Sequence, residues 1–416
     1  MSGEKKHIII VGGGFGGITA ALHLGRRYAQ KLARRDYDLI LIDRHRHQLF
    51  TPALYELAAI PREYALDTFL VTASLISLET ITRRIPIRLL SDEFLSLDTA
   101  SHSITLGGQG RIPYAYLILA LGSETNFFDI PGLREHALTL KTGDDAVRLR
   151  NKIEAAVRRG APRLKIIVGG GGATGVELAA ELVNFVSAIR KYSPQSPFRT
   201  ATITLMEAAP QILSGFHPSV IRRARKRLES LGVEIKTETT ITAVRDHELV
   251  CDGGVHESFD ILIWTGGVKG PSILSTLGLP LSSKGAVLVD EYLTVQSAPS
   301  VKAIGDNAAY RDARTDIFMP WTIPAAEHEG RYIAHELIRE ISGKKKNPFR
   351  PFKNYPFILA VGKKYAIADF AFIRLSGFAG WLVKILAELR YFTLILPFPR
   401  AVRMWWKTVR LYRSND

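Results

Sequence analysis

Two copies of one glycine-rich signature constrain the fold of this chain more than any other feature. Residues 12–17 (GGGFGG) follow the apolar residues 8–11, and residues 170–175 (GGGATG) follow residues 166–168. Continuous apolar runs are typical of parallel strands that are covered on both faces. In each copy the first glycine permits a tight turn, the second lets the backbone approach a pyrophosphate, and the third lets a helix pack closely. Two such turns predict two dinucleotide sites, and such a protein is expected to pass electrons between them.

An acidic residue ends the second predicted strand of each unit. Asp43 follows the apolar residues 39–42, and Glu207 follows residues 203–206. A carboxylate at this position binds ribose hydroxyls in dinucleotide-binding folds. Because residues 208–209 are alanines, no adjacent arginine is present to meet a 2′-phosphate, which favours NADH over NADPH.

Three further apolar strands end in glycine turns, at Gly122, Gly266 and Gly305, and Asp306 follows the last. Open parallel sheets bind ligands at the carboxyl ends of their strands. A chain of 416 residues is expected to form two or three domains. We therefore predict an α/β protein with two Rossmann-like dinucleotide-binding domains and a C-terminal helical region. The predicted bounds are 1–125 with 280–343 for the first domain, 126–279 for the second and 344–416 for the C-terminal region.

Several classes of function are excluded by what the sequence lacks. Cys251 is the single cysteine, so a redox-active cysteine pair is excluded and a reducing compartment is favoured. The charged residues 4–6 lead directly into the first strand, without the pattern of a signal peptide. His45 and His47 have no cysteine or carboxylate at ligand spacing, so no metal is expected there.

The positive charge is concentrated at the C-terminus. Residues 344–416 hold 15 lysines and arginines against three acids, so they contribute about +12 of the net charge of +15. Such asymmetry favours an anionic partner, either nucleic acid or a lipid headgroup layer. A membrane surface is the preferred partner, and nucleic acid is not expected.

Two amphipathic helices are predicted in this C-terminal region. Residues 378–396 have apolar side chains at helical spacing, with Lys384, Glu388 and Tyr391 on the other side, so a transmembrane span is not expected. The second helix separates a basic face from an apolar aromatic face, as in helices that lie in a membrane interface. The basic face holds Arg400, Arg403, Lys407 and Arg410, and the other face holds Val402, Trp405, Trp406, Val409 and Tyr412. Packing of the apolar faces on the protein body or across a homodimer remains an alternative.

Four segments together resemble one family. Residues 10–17, 50–56 (FTPALYE), 175–181 (GVELAAE) and 303–306 (AIGD) are similar to motifs of the two-dinucleotide-binding flavoproteins, and within them of the type II NADH dehydrogenases. The first and last segments are shared with the whole superfamily. Residues 50–56 and the C-terminal region are more specific.

The resemblance implies FAD in the first site and NADH in the second. The implied activity is FAD-dependent oxidation of NADH with transfer of two electrons to a membrane quinone, without proton pumping. The implied location is the cytoplasmic face of the cell membrane, as a peripheral protein. The FAD residues are then expected to be Gly12, Gly14, Phe15, Gly16, Gly17, Asp43, Arg44, Pro52, Gly122, Gly305 and Asp306. Those for NADH are expected to be Gly170, Gly172, Thr174, Gly175, Glu177, Glu207 and Gly266.

Two side chains are predicted to take part in the chemistry. Glu177 would lie near the junction of nicotinamide and flavin, or would serve only as a carboxylate at a helix N-terminus. Glu181, one turn on, has the same alternatives. Where the family has two glutamines in its quinone pocket, this chain has Pro324 and His328, so His328 would donate a proton to the acceptor or would only pack. The alternatives are a soluble NADH-dependent flavoprotein reductase that serves a protein carrier, and a non-enzymatic flavoprotein that senses NADH.

Overall fold

A computed structural model describes residues 5–160, 162–192 and 195–412. The chain forms two compact units. The first is drawn from Met1–Gln48, Ile76–Glu124 and Val268–Tyr355, and the second from Leu49–Leu75, Thr125–Gly267 and Pro356–Asp416.

The first unit is built on a six-stranded sheet. The strand order is Thr294–Val295, Ala298–Ala303, Tyr116–Leu119, Lys6–Val11, Tyr37–Asp43 and Arg88–Ser91, and all pairs are parallel except the first. The central strand pairs Ile9 with Ile40 on one side and with Leu117 on the other, and all three side chains are fully buried. The apolar run of residues 8–11 is thus a central strand covered on both faces, as predicted.

Helices cover this sheet. One small antiparallel sheet and one small mixed sheet complete the first unit. The helices are Phe15–Arg27, Ala29–Ala33, Leu78–Thr82 and Ile323–Ile341, with 3-10 turns at Ser272–Thr276 and Gly305–Asn307. The small sheets comprise Phe94–Asp98, Ser103–Leu106 and Gly110–Pro113, and Val287–Val289, Ala308–Asp312 and Ile317–Phe318. The short strands His47–Leu49, Leu75–Ser77, Glu124–Thr125 and Val268–Lys269 lie where the chain passes from one unit to the other.

The second unit is built on a five-stranded parallel sheet. Its strand order is Leu138–Thr139, Ile261–Trp264, Arg163–Gly169, Thr200–Met206 and Glu234–Lys236. Two three-stranded antiparallel sheets accompany it, Ile241–Arg245 with Glu248–Cys251 and His256–Ser258, and Phe357–Ala360 with Ala366–Asp369 and Arg374–Gly377. The helices are Leu54–Leu57, Asp67–Ala73, Leu133–His136, Gly143–Arg158, Ala173–Tyr192, Pro218–Ser230, Phe378–Ile395 and Phe398–Tyr412, with 3-10 turns at Thr51–Ala53 and Asp252–Gly254.

The observed division differs from the predicted bounds in its assignment of three segments. Residues 49–75, predicted within 1–125, belong to the second unit, and the region 344–416 does not stand apart, because its part from Pro356 onward belongs there too. The second unit also ends at Gly267 rather than at residue 279. A buried ion pair explains the first two differences, since Lys384 of the C-terminal region contacts Glu56 at 2.8 Å.

The first C-terminal helix, Phe378–Ile395, divides the predicted apolar set, of which Trp381, Ile385 and Phe392 are buried. Its charged side, with Lys384 and Glu388, is buried, whereas Phe378, Leu382 and Leu386 are 61%, 43% and 51% exposed. These three apolar residues follow one another at every fourth position and form one exposed row, which we call the apolar stripe. Within the described ranges, none of the helices is both long and apolar enough for a membrane span.

Candidate dinucleotide sites

The first glycine turn has the geometry that a bound pyrophosphate requires. Gly12 has a φ of +112°, and a Cβ on Gly17 would come within 1.9 Å of the Gly12 carbonyl oxygen. A Cβ on Gly14, in contrast, would meet no described atom within 4 Å. Among the described residues no side chain caps the following helix, Phe15–Arg27, whose N-terminus favours an anion. Gly14 therefore marks the open side of the turn, where a phosphate can approach the backbone.

Asp43 is held beside this turn by two backbone groups. Its Oδ2 accepts a hydrogen bond from the Gly13 N–H at 2.6 Å, and its Oδ1 accepts one from the His45 N–H at 2.7 Å. Each carboxylate oxygen keeps a lone pair for a further donor, such as a ribose hydroxyl. Arg44 follows with an exposed side chain whose Nε lies 3.2 Å from His45 Nε2.

The second predicted FAD motif lies in the same unit. Asp306, in the turn Gly305–Asn307, accepts a hydrogen bond from the Ser123 hydroxyl at 2.7 Å. The Gly122 N–H donates to Asn307 Oδ1 at 3.4 Å. The structure therefore brings the predicted residues Gly122, Gly305 and Asp306 together.

Glu329 belongs to this group and was missed in the sequence. Its Oε2 accepts the Gly305 N–H at 2.5 Å. The pKa of Glu329 is raised to about 8, chiefly by burial and to a smaller extent by Asp306, while the Gly305 N–H acts to lower it. No local sequence pattern marked Glu329; the Gly330 that follows it is required by close packing, because a Cβ there would come within 2.5 Å of the Gly16 carbonyl oxygen.

The second glycine turn repeats the first. Gly170 has a φ of +105°, a Cβ on Gly175 would come within 1.9 Å of the Gly170 carbonyl oxygen, and a Cβ on Gly172 would meet no described atom within 4 Å. Glu207 Oε2 accepts the Gly171 N–H at 2.6 Å, as Asp43 does in the first unit. Its other oxygen, Oε1, accepts the Ala209 N–H at 2.8 Å.

The neighbouring strand ends against this turn. Thr265 donates its hydroxyl to the Gly170 carbonyl oxygen at 3.0 Å, and a Cβ on Gly266 would lie 2.3 Å from the Trp264 ring. Thr174 is exposed in the first turn of the helix Ala173–Tyr192. The predicted residues Gly170, Thr174 and Gly266 thus lie around the same end of the sheet.

Glu177 lies on the helix Ala173–Tyr192, and its side chain is half-buried. Its Oε1 accepts the Ala360 N–H at 3.3 Å. Withdrawal from water raises the pKa of Glu177 to about 8, with a further contribution from Glu181, while the Ala360 N–H and Lys384 act to lower it. At neutral pH this carboxyl group is therefore mostly protonated.

A buried ionic cluster of Tyr55, Glu56, Lys384, Glu388 and Tyr412 lies in the second unit. Lys384 Nζ lies 2.8 Å from Glu56 Oε1, 2.9 Å from Glu388 Oε1 and 4.0 Å from the Tyr412 ring centre. Burial acts to lower the pKa of Lys384, but the two neighbouring carboxylates outweigh this effect and raise it. Burial also raises the pKa of the Glu56 and Glu388 carboxyl groups. The (i, i+4) spacing of Lys384 and Glu388 was the available sequence signal, but Glu56 is 328 residues away from Lys384.

Pro52 is placed in the second unit rather than with the other predicted FAD residues. It lies in the turn Thr51–Ala53, which leads into the short helix Leu54–Leu57 that carries Tyr55 and Glu56.

His328 lies in an aromatic cluster of the first unit. Its Nδ1 is 2.9 Å from the Tyr355 hydroxyl, and its ring stacks on Phe352 with centroids 4.2 Å apart. Burial lowers the pKa of His328, and Arg331 lowers it further, so the ring is neutral at neutral pH. A cavity of about 490 Å³ adjoins it, lined by His328, Tyr332, His335, Glu336, Asn347, Pro348, Phe349 and Arg350.

Pro324 has a structural role where the family has its first glutamine. It lies in the first turn of the helix Ile323–Ile341. Proline is favoured at this position because its missing N–H would have had no partner within the helix.

The fold and the repeated turns define a class, an α/β protein with two dinucleotide-binding units. Residues 6–330 match the model of the pyridine nucleotide-disulphide oxidoreductase family, which is most of the chain, and the protein belongs to this family. Because its one cysteine is the buried Cys251, it has no cysteine pair to form an internal disulphide.

Within this class the chain is similar to quinone-reducing enzymes. It is 27% identical to the demethylphylloquinone reductase NdbB of Synechocystis sp., over 94% of this chain and 93% of that protein. It is also 27% identical to the type II NADH:quinone oxidoreductase Ndh of Mycobacterium tuberculosis, over 93% of this chain and 84% of that protein. Its fold is similar to that of NDH2 from Plasmodium falciparum in complex with NADH, with a TM-score of 0.82 at 19% identity, covering 99% of this chain and 97% of that one.

Proposed function

We propose that this protein oxidises NADH with FAD as cofactor and passes two electrons to a quinone, without pumping protons. The observation that carries the proposal is the repeated turn, in which Asp43 and Glu207 accept the N–H of the middle glycine at the same 2.6 Å distance. Two independent dinucleotide sites are what an NADH-oxidising flavoprotein requires. The relatives' names supply the acceptor class.

The first unit fits FAD. Gly14 leaves room for the pyrophosphate, Asp43 can accept ribose hydroxyls, and Asp306 is held for the ribityl chain by Ser123. When bound, FAD supplies hydride and two-electron chemistry, and the protein supplies position and electrostatics. Glu329, mostly protonated at neutral pH, adds little negative charge beside Asp306.

The second unit fits NADH. Gly172 leaves room for the pyrophosphate, and Glu207 can accept hydrogen bonds from ribose hydroxyls. Glu207 also disfavours NADPH, because its charge would repel a 2′-phosphate. Glu177 holds a proton that it can give up above neutral pH, so it is suited to proton transfer during turnover.

His328 is better suited to hydrogen bonding than to acid catalysis. Its lowered pKa leaves it neutral, and Tyr355 engages its Nδ1. In this proposal His328 and Tyr355 replace the polar contacts that the family's second glutamine would provide.

The protein associates with a membrane surface through its C-terminal helices, on the cytoplasmic face. The exposed apolar stripe and the exposed basic residues Arg403 and Arg410 support this part of the proposal. A homodimer that buries the apolar stripe is the alternative use of the same face.

Anaerobic mixing tests the enzymatic proposal. NADH should bleach the flavin absorbance of the purified protein, and a short-chain quinone added afterwards should restore it. A yellow protein that NADH does not bleach would rule out the enzyme. Reoxidation by a small electron-carrier protein but not by quinones would favour the soluble reductase instead.

A further inference from the structure

The helix Pro218–Ser230 carries a dense basic segment that the function proposed above does not use. Residues 222–227 read RRARKR, and Glu229 is the helix's one acidic residue. This segment lies outside the C-terminal region that holds most of the excess charge. Its position on one helix of the second unit makes it a defined surface rather than a diffuse charge.

The helix faces its basic residues outward. Val220, Ala224 and Leu228 are buried and recur every four residues, so they form the inward row. Arg222 and Lys226, also four residues apart, are exposed on the opposite side. Their exposure leaves both positive charges available to a partner.

Two arginines hold the helix against the antiparallel sheet that begins at Phe357. Arg227 donates to the carbonyl oxygens of Val361 and Gly362 at 3.2 and 3.4 Å and lies over the Tyr365 ring. Arg223 donates to the Ser376 hydroxyl at 3.3 Å. The helix is therefore fixed relative to the turn that contains Lys363 and Lys364.

The helix and this turn together present five exposed basic residues. We call them the basic surface: Arg222, Arg223, Lys226, Lys363 and Lys364. The basic surface adjoins the start of the apolar stripe. Arg223 contacts Ser376, which precedes Phe378 by two residues, a span of about 7 Å in extended chain. Cations beside exposed apolar side chains match a lipid layer, in which phosphate groups lie above acyl chains.

We propose that the basic surface binds the phosphate groups of anionic phospholipids and is a second membrane contact beside the apolar stripe. The inference rests on the membrane association proposed above and adds the lipid class that it selects. Each basic side chain near an anionic membrane strengthens binding several-fold, and salt weakens this contribution.

Co-sedimentation of the FAD-loaded protein with vesicles tests this inference. The probes are phosphatidylcholine vesicles and mixed phosphatidylcholine–phosphatidylglycerol vesicles, each at low and high salt. The variant combines Arg222→Gln, Arg223→Gln and Lys226→Gln. The matched control removes the same number of positive charges from three exposed arginines of the first unit. Its substitutions are Arg83→Gln, Arg84→Gln and Arg88→Gln.

The wild type should bind the mixed vesicles more tightly than the neutral ones, and salt should reduce the difference. The triple variant should lose on the order of 100-fold on mixed vesicles, at several-fold for each charge. It should keep its binding to neutral vesicles and its reduction of a soluble quinone, and the control should behave as wild type. A second variant, Arg222→Lys with Arg223→Lys, should retain the preference for mixed vesicles.

Three results would overturn the inference. One is equal binding of the triple variant and the wild type to mixed vesicles. Another is an equal loss of affinity for mixed vesicles in the control variant, which would show an effect of net charge alone. The third is salt-sensitive binding of the basic surface to an RNA oligonucleotide without any preference for anionic vesicles. Failure of the wild type to bind either vesicle, with quinone reduction intact, would reject membrane association but not the enzymatic proposal.

Discussion

Glycines that look equivalent in each turn have different physical roles. Gly175 is required by the protein itself, because a Cβ there would overlap the Gly170 carbonyl oxygen and lie 2.8 Å from the Thr265 hydroxyl. Gly172 is required only by a ligand, since no described atom would lie within 4 Å of its Cβ. The two positions therefore separate folding from binding.

Substitution by alanine should reveal this difference. Gly172→Ala should leave stability nearly unchanged and raise the KM for NADH roughly 10- to 100-fold, through loss of a charge-assisted contact to phosphate. Gly175→Ala should lower the free energy of unfolding by about 1–3 kcal/mol. Urea unfolding and steady-state kinetics would measure the two effects. The assignment of Gly172 to the phosphate would be wrong if its variant bound NADH normally.

Glu177 should make stability depend on pH. Its folded pKa of about 8 lies above the ordinary value of 4.5, so the folded protein retains a proton that the unfolded chain releases between these pH values. The contribution of this proton to the free energy of unfolding is fully present below about pH 4.5. It is lost as the pH rises to about 8, at up to about 1.4 kcal/mol per pH unit. Glu177→Gln should flatten the fall in unfolding free energy over this range. The same substitution at the exposed Glu135 is the control, and an equal slope in both variants would contradict the shift.

At the scale of elements, the buried ionic cluster connects a short helix near residue 56 to both C-terminal helices. Lys384 pairs with two carboxyl groups in a site from which water is largely excluded. The Tyr412 hydroxyl donates to Glu388 Oε1 at 3.4 Å and so ties the end of the last helix to the cluster. Removal of the cation would leave two buried carboxylates without their partner.

Lys384→Met should therefore lower the free energy of unfolding by about 3–5 kcal/mol. Combination with Glu56→Gln and Glu388→Gln should recover much of this loss, because no unpaired charge would then be buried. Denaturant unfolding of the single and triple variants forms the test. A single variant as stable as wild type, or a triple variant no better than the single, would contradict the proposed balance of charges.

Local pattern sufficed to predict the parallel strands of the two main sheets and both glycine turns. The turn residues, the strand before them and the carboxylate after the second strand all lie within short sequence windows, and the structure brings them together as expected. The cluster around Lys384 could not be predicted, because it joins residues 328 positions apart. For the same reason the sequence could not show that the charged side of the helix Phe378–Ile395 is buried, because the ion pair that allows its burial is supplied by Glu56.

At the scale of the whole molecule, the C-terminal segment serves both as part of the second unit and as an exposed surface. Trp405 donates its indole N–H to the Ile385 carbonyl oxygen at 2.7 Å, which packs the last helix on the preceding one. Truncation after residue 343 would therefore remove structure from the second unit and would not isolate a membrane anchor. Substitutions on the exposed side are the better test of membrane contact.

Leu382→Ser with Leu386→Ser should weaken binding to neutral vesicles while stability is retained, because both side chains are about half exposed. Removing two partly exposed leucines from a lipid contact should cost roughly 2–4 kcal/mol, or about 30- to 1000-fold in vesicle affinity. Leu288→Ser with Ile317→Ser in the first unit supplies the matched control, since these side chains are 38% and 67% exposed. If the stripe instead forms a homodimer, the first variant should change the sedimentation coefficient without lipid present and leave vesicle affinity unaltered. Measuring both quantities on the same samples therefore decides between lipid and a second copy of the chain as the partner of the stripe.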